Sequence, residues 1–310
     1  MAVDRIRIGT RGSPLALAQA HETRALLQAA HGLEESQLEI VVITTSGDQI
    51  QDRPLSEVGG KGLFTKEIEE AMFRGDIDVA VHSMKDLETA MPDGLAVGAV
   101  LPREDVRDAF ISLKHAKLAD LPDGAVVGTS SLRRRAQLRN ARPDIQVVEF
   151  RGNVQTRLAK LEAGVAEATF LACAGLRRLG EAERITEAIA TEDMLPAVAQ
   201  AAIALQVRAD DAPVASAIAV LNDEATAVRV HAERVFLAKL DGSCRTPIAG
   251  LAEPVEDGFR FRGEVLAPDG SEKLSVERTA KREDLADAAM AAAEDLLGRG
   301  AARLTQSGPA

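Results

Sequence analysis

Seven arginines crowd into residues 128–157, GTSSLRRRAQLRNARPDIQVVEFRGNVQTR: Arg133, Arg134, Arg135, Arg139, Arg142, Arg151 and Arg157, against only Asp144 and Glu149. The whole chain is acidic, with a formal net charge of -11, so the local excess reads as an anion receptor. Residues 125–128 look like a strand end, and Thr129, Ser130 and Ser131 like the start of the next helix. Free backbone N–H groups and the positive end of the helix dipole gather at such a point. A second turn of this kind, Arg151-Gly152-Asn153, follows the apolar strand 145–150. Guanidinium is planar and grips a carboxylate through two parallel hydrogen bonds. Arg133, Arg134, Arg151 and Arg157 lie near strand-to-helix turns and are candidate ligands; Arg135, Arg139 and Arg142 read as a solvated helix face.

Other candidates stand apart from the arginines. A strand over 77–81 runs into His82-Ser83-Met84-Lys85-Asp86, and open α/β sheets hold ligands beyond the carboxyl ends of their strands. That position singles out Lys85 and Asp86. Cys244 sits in the polar turn DGSCRTP, which exposes its thiol. Cys173 falls in the apolar run ATFLACA and reads as a small core residue of a buried strand. The two cysteines match no metal spacing or disulfide framework. Lys61 lies in a Gly-rich stretch, Gly59-Gly60-Lys61-Gly62, at the end of a long polar loop over 44–62.

The elements that must position these residues alternate between strand and helix. Strands are expected at 5–8, 38–43, 77–81, 95–101, 108–113, 125–128, 145–150 and 168–172, with helices at 14 to about 31, 65–74, 131–141, 154–163 and 174 to about 179. This is the pattern of a doubly wound α/β protein. Ser13 can cap the first helix, Pro14 suits its first position and Gly32 closes it. Gly9-Thr10 and Gly128-Thr129 each follow a strand and open a helix, hinting at two domains of related design. The apolar stretch 195–207 returns the chain to the first domain. Beyond 223 a helix over 224–239, a hairpin of 259–266 and 273–279, and a closing helix over 284–297 suggest a small α+β domain. The expected partition is residues 1–101 with 198–219, then 102–197, then 220–310.

At 310 residues and 46% hydrophobic content the chain has room for several cores. No apolar run nears the ~20 residues of a membrane span, and the first residues lack the apolar stretch of a signal peptide. A cytoplasmic protein is expected. The acidic balance argues against nucleic-acid binding, as does the absence of Trp and Tyr for base stacking.

The motifs IGTRGSPLALAQA, VGGKGLF, VAVHSMKD, REDVRDAF, VGTSSLRRRAQL, FRGNVQTRL, LACAGLRRLG, LPAVAQ and DGSCRTPI, in this order, resemble the porphobilinogen deaminase (hydroxymethylbilane synthase) family over nearly the whole chain. The resemblance implies two domains like periplasmic binding proteins facing a cleft, and a third carrying a cysteine. It implies head-to-tail condensation of four porphobilinogen molecules to hydroxymethylbilane with release of ammonia. The implied cofactor is a dipyrromethane joined by a thioether to Cys244. The implied catalytic acid is Asp86. Implied ligands of the acetate and propionate groups are Arg11, Ser13, Lys85, Thr129, Ser130, Ser131, Arg133, Arg134, Arg151, Arg157 and Arg178, with Gln200 as a further site residue and Lys61 on a closing loop. The chain departs from the family pattern twice. Glu88 stands where Pro is usual after HSMKD, and Ala199-Gln200-Ala201 replaces Gly-Gln-Gly, with methyl groups that narrow the permitted backbone angles.

The chemistry needs both kinds of charge. Loss of ammonia from porphobilinogen leaves an azafulvene cation, which a fixed carboxylate can steady. At ~4 Å and an effective dielectric near 20 one such pair is worth roughly 4 kcal/mol, or about a thousandfold in rate if felt only at the transition state. Arginines would repel that cation, and their work is to fix carboxylates. A thioether at Cys244 would survive chain growth and cleavage. The rival expectation is a non-catalytic, two-lobed carboxylate-binding protein with Cys244 merely exposed; a cysteine-dependent acyltransferase is weaker, since none of His21, His31, His82, His115 or His231 is spaced to identify a base. A monomer is expected.

Overall fold

The computed structural model describes residues 5–49, 62–242 and 246–306. In chain order its elements are β1 (Ile6–Arg11), α1 (Pro14–His31), β2 (Leu38–Ile43), α2 (Ser46–Gln49), α3 (Lys66–Phe73), β3 (Val79–Ser83), β4 (Leu95–Val100), β5 (Asp108–Ser112), β6 (Val126–Gly128), α4 (Leu132–Ala141), β7 (Gln146–Val148), α5 (Val154–Glu162), β8 (Ala168–Ala172), α6 (Cys173–Arg178), β9 (Glu187–Ala188), β10 (Ile203–Arg208), α7 (Ala212–Ala219), α8 (Glu224–Lys239), β11 (Ile248–Val255), β12 (Gly258–Leu266), β13 (Lys273–Ala280), α9 (Leu285–Gly298) and α10 (Ala301–Gln306). They separate into two compact units, Met1–Glu104 with Ala201–Ala227, and Asp105–Gln200 with Val228–Ala310.

The first unit holds a five-stranded sheet in the order β2-β1-β3-β10-β4. β1 is parallel to β2 and β3, while the returning β10 runs antiparallel between β3 and β4. Its core packs Ile6, Ile8, Val79, Val81 and Leu205 against Ala20 and Leu27 of α1. α1 forms because Ser13 accepts a hydrogen bond from the Ala16 N–H, Pro14 presets the first turn, and Gly32 closes the helix at φ 66°. On the other face Ala80 and Ile77 pack against Ile68, Ala71 and Met72 around α3.

In the second unit the order β7-β6-β8-β5-β9 has the same plan. β6 is parallel to β7 and β8, and β5 runs antiparallel between β8 and β9. Phe110 and Phe170, opposed in the β5–β8 register, meet at 6.1 Å between ring centres. Gly9-Thr10 lies near the carboxyl end of β1 and Gly128-Thr129 at that of β6, and the reason for glycine is space. A Cβ at Gly9 would lie 2.3 Å from Ile77 Cδ1, and one at Gly128 would lie 2.3 Å from the Phe150 ring.

The same unit carries an antiparallel sheet β11-β12-β13, whose apolar face packs Phe236 of α8, Phe261, Val265 and the small residues Ala289, Ala292 and Ala293 of α9. Its β12–β13 turn sits on α4. The Asn140 amide donates to the Gly270 carbonyl at 2.9 Å, and a Cβ at Gly270 would come within 2.8 Å of the Ala136 carbonyl oxygen.

Several local expectations shift. Cys173 is buried as expected, but it opens α6 rather than extending β8; its N–H, which has no partner inside the helix, is satisfied by the Arg107 carbonyl next to the β5–β8 pairing. The stretch 44–62 is not all loop: Ser46–Gln49 forms a helical turn. β11, β9, α7 and α10 were not expected from the sequence.

Candidate active site

Asp86 closes a short 3-10 turn, Met84–Asp86, directly after β3. The turn is set by backbone bonds: the Met84 N–H reaches the Ala202 carbonyl at 2.9 Å and the Leu87 N–H the Met84 carbonyl at 3.2 Å. Among the described residues no donor lies within hydrogen-bond distance of the Asp86 carboxylate. It lines a small hollow of about 60 Å³ with Arg11, Ser13, Gln19, His82 and Ser83. The Arg11 guanidinium stacks 4.1 Å from the centre of the Phe64 ring and pairs with Asp48. Asp48 also accepts from the Thr45 hydroxyl at 2.8 Å; burial pushes its carboxyl up, but the hydrogen bonds and charge of Arg11 outweigh that and lower it. Ser13 spends its hydroxyl on the α1 cap, so its remaining capacity is as a donor. Lys85 is half-buried beside Asp86.

The second unit gathers the arginines around one acid. Asp108 is fully buried at the start of β5. Its Oδ1 accepts from Arg134 Nε at 3.0 Å and Nη2 at 2.6 Å, and its Oδ2 lies 2.8 Å from Arg133 Nη1. Burial alone would lift this carboxyl; the two guanidinium charges outweigh it and hold it well below the usual carboxylate range. Arg134 spends Nη1 on the Phe170 carbonyl, and Arg133 spends Nη1 on the Leu195 carbonyl, which Gln137 also engages. Removing one partner of such a buried set costs roughly 3–5 kcal/mol. The sequence did not reveal Asp108 as the counter-ion: a polar residue at a strand start reads as a boundary.

Gln200 joins the same set. Its amide donates to the Val106 carbonyl at 2.8 Å and to Asp108 Oδ1 at 3.1 Å. The flanking Ala199 and Ala201 both adopt left-handed angles, φ 58° and 75°, a conformation that costs a Cβ-bearing residue about 1 kcal/mol or more. The surroundings enforce it: the buried Glu233 carboxylate accepts the Ala199 N–H at 2.7 Å and the Ala252 N–H at 2.9 Å.

Thr129, Ser130 and Ser131 shape their turn. Thr129 accepts from the Ser131 N–H, Ser130 from the Phe150 N–H at 3.1 Å, and Ser131 caps α4 through the Arg134 N–H. Each hydroxyl retains a proton to donate. Arg135 pairs with Glu149 and Arg142 with Asp144 at the surface. Arg151 and Arg157 differ, because among the described residues no carboxylate lies within ion-pair distance of either. Arg151 Nη1 is buried without a hydrogen-bond partner. Burial, then the charges of Arg134 and Arg151, pull the Arg157 guanidinium down to about 10, still charged at neutral pH. Arg178 ends α6, half-buried. Lys61 and Cys244 lie outside the described residues.

The donor set fits a carboxylated ligand. A buried guanidinium N–H without a partner costs free energy that an incoming carboxylate would recover, and two of the arginines, Arg133 and Arg134, share the single buried acid Asp108. The class so defined is an α/β protein with one lobe built to accept carboxylates and another presenting an acid that has no partner among the described residues.

Comparison with known proteins narrows this. The family "Porphobilinogen deaminase, dipyromethane cofactor binding domain" matches residues 6–216, and "Porphobilinogen deaminase, C-terminal domain" matches 227–298. The chain is 61% identical over 294 residues to a porphobilinogen deaminase of Paracoccus denitrificans, covering 95% of this chain and 94% of that one. It is 55% identical over 300 residues to a chloroplastic porphobilinogen deaminase of Pisum sativum, covering 95% and 81%. Among solved structures, a nutrient-binding protein from Burkholderia cenocepacia bound to methionine aligns with TM-score 0.43 and 14% identity over 71% of this chain and 93% of that one. The chain belongs to the porphobilinogen deaminase family. Its cofactor-binding domain is that of a dipyrromethane. No helix among the described residues is long and apolar enough to cross a membrane.

Proposed function

We propose that the chain condenses porphobilinogen head to tail into hydroxymethylbilane with release of ammonia, and that Asp86 is its catalytic acid. The observation that carries the reading is the division of charge: a carboxylate without a described partner in one hollow, and guanidinium groups without a described acid at Arg151 and Arg157, one with a buried unpartnered N–H. Family membership over 6–216 and 227–298 gives this division its substrate.

Asp86 steadies the cation that loss of ammonia leaves on porphobilinogen and takes part in moving its protons. Being open on the hollow side, its carboxylate can turn to a pyrrole N–H without first breaking a protein contact. Arg151, Arg157 and Arg178 hold acetate and propionate groups. Arg133 and Arg134 add a fixed positive field, net of Asp108, and Arg133 keeps a buried Nε–H without a partner for a carboxylate. Thr129, Ser130 and Ser131 contribute hydroxyl donors, and Arg11, Ser13 and Lys85 serve the Asp86 side. Gln200 orders the arginines through Asp108. When bound, the dipyrromethane supplies the free pyrrole carbon from which the chain is extended; Cys244 is the proposed point of attachment and Lys61 belongs to the same proposal. A cytoplasmic, monomeric enzyme completes it, and light scattering in solution tests the oligomeric state.

The test is turnover. Purified protein given porphobilinogen alone should release ammonia and form a product that cyclises to a uroporphyrinogen; binding without ammonia release would favour a carboxylate-binding protein instead.

A further inference from the structure

A buried polar chain lies behind the Asp86 hollow, and the proposed reaction does not use it. His82, on β3, is 5% exposed and belongs to the wall of the hollow that Asp86 and Arg11 also line. Side chains alternate along a strand. Ser83 meets Gln19 of α1 at 2.9 Å, and His82 on the opposite face meets Gln206 of β10, its Nε2 3.1 Å from Gln206 Oε1. Gln206, itself fully buried, donates its amide to Glu69 Oε1 of α3 at 3.2 Å.

This chain has a direction. An ionised carboxylate can only accept, so the Gln206 NH₂ must face Glu69 and its oxygen must face His82. The oxygen in turn requires a proton on His82 Nε2. A neutral imidazole protonated at Nε2 carries its lone pair at Nδ1, and among the described residues no group hydrogen-bonds Nδ1. A positively charged ring here would oppose both Arg11 and an incoming cation. Burial, followed by the Arg11 charge, lowers His82 to about 4, against the gain from Gln206, so the ring stays neutral at working pH. Three elements, α3, β10 and β3, therefore hold one ring in one tautomer in the wall of the hollow that Asp86 also lines.

We propose that His82 is a substrate-binding residue, its Nδ1 accepting a hydrogen bond from an N–H of bound porphobilinogen other than the ring N–H that faces Asp86, with Gln206 and Glu69 as the positioning residues that fix its tautomer. The proposal rests on the hollow of Asp86 being the pyrrole site. It adds to that site a neutral acceptor, which can orient a pyrrole without repelling the cation formed from it.

Nitrogen-15 NMR of imidazole-labelled protein tests the tautomer directly. His82 should show a protonated Nε2 and a bare Nδ1, and porphobilinogen should shift the Nδ1 resonance. In kinetics, His82→Leu should raise KM for porphobilinogen about tenfold, a loss near 1.4 kcal/mol, with the attached pyrrole mass retained. His82→Gln, which keeps an acceptor, should recover part of the loss, and Gln206→Leu should give mixed tautomers and a smaller rise in KM. A protonated Nδ1 in the wild type, or His82→Leu with unaltered KM and kcat, overturns the proposal. Should His82→Leu fail to fold, the wild-type spectrum still decides. Asp86→Asn, assayed alongside, separates the two levels: a dead variant with ordinary His82 behaviour sinks the histidine inference alone, whereas a fully active Asp86→Asn sinks the site itself.

Discussion

The two five-stranded sheets share one plan and carry opposite chemistry. In β2-β1-β3-β10-β4 and in β7-β6-β8-β5-β9 alike, the second strand carries a Gly-Thr pair at or near its carboxyl end and feeds a helix, and the fourth runs antiparallel. The turn beyond the first strand places Asp48 in one unit and Arg151 in the other; the turn beyond the third leads to Asp86 in one and, through α6, to Arg178 in the other. In the first unit the cation Arg11 is answered by Asp48, and Asp86 has no partner among the described residues. In the second, Asp108 answers Arg133 and Arg134, while Arg151 and Arg157 have no carboxylate partner among the described residues. The backbone supplies the strand-to-helix turns, and the charges left without an internal partner decide what each turn can bind.

That contrast breaks most sharply at Asp86. Asp86→Asn should lower turnover about a thousandfold or more, the worth of one charge pair near 4 kcal/mol, with thermal stability almost unchanged because no described contact is lost. A steady-state assay beside a melting curve checks it; near-normal turnover would remove the acid from the mechanism.

Acid should undo the two units in sequence. His82 is held neutral, its folded value lowered from the ordinary 6.5 to about 4. The unfolded chain therefore binds the extra proton first, and stability present above about pH 6.5 is lost as pH falls toward 4, by up to about 3 kcal/mol. Asp108 is held ionised, so its contribution is present above the ordinary carboxylate range, near 3.9, and is lost only below it. Melting temperature against pH in wild type and His82→Gln checks this, the variant losing the slope between about pH 6.5 and 4 but keeping the fall below it. An unchanged slope in the variant would place the loss elsewhere.

At the cationic end, Arg151→Leu should raise KM for porphobilinogen or leave part of the protein without attached pyrrole. One charged hydrogen bond is worth about 1.5–3 kcal/mol, so the rise should be roughly 10- to 150-fold. Full loading with an unaltered KM would put Arg151 outside the site.

The smallest effect compares the shared turns themselves. Gly128→Ala drives a methyl into the rigid Phe150 ring and should destabilise by about 1–3 kcal/mol, whereas the contact at Gly9 is with the mobile tip of Ile77. Gly9→Ala should cost less in urea unfolding. Equal costs would mean that ring rigidity is not what sets the second turn.

Much of this frame was legible in the sequence because local signals agree with it. Ser13, Pro14 and Gly32 bound α1 as expected, and β2 and α8 match their expected spans. β11 was hidden because Gly250 and Pro254 interrupt its apolar pattern, and β9 is only two residues long. In the site, the turns could be read but the pairing could not. Nothing local marks Asp108 as the partner of Arg133 and Arg134, which lie 25 and 26 positions later, nor Gln206 as the partner of His82, 124 positions away. The left-handed Ala199 and Ala201 show the limit of residue preference: Glu233 and the Gln200 contacts hold angles that alanine alone would avoid.

Intact-protein mass spectrometry under denaturing conditions tests the central division of labour most directly. Wild-type protein should weigh more than its polypeptide by one dipyrromethane, lost in Cys244→Ala, and should gain further pyrrole units when given porphobilinogen. Asp86→Asn should keep the dipyrromethane but add no units. An active wild type with the bare polypeptide mass, or an Asp86→Asn ladder equal to the wild type's, would contradict the account.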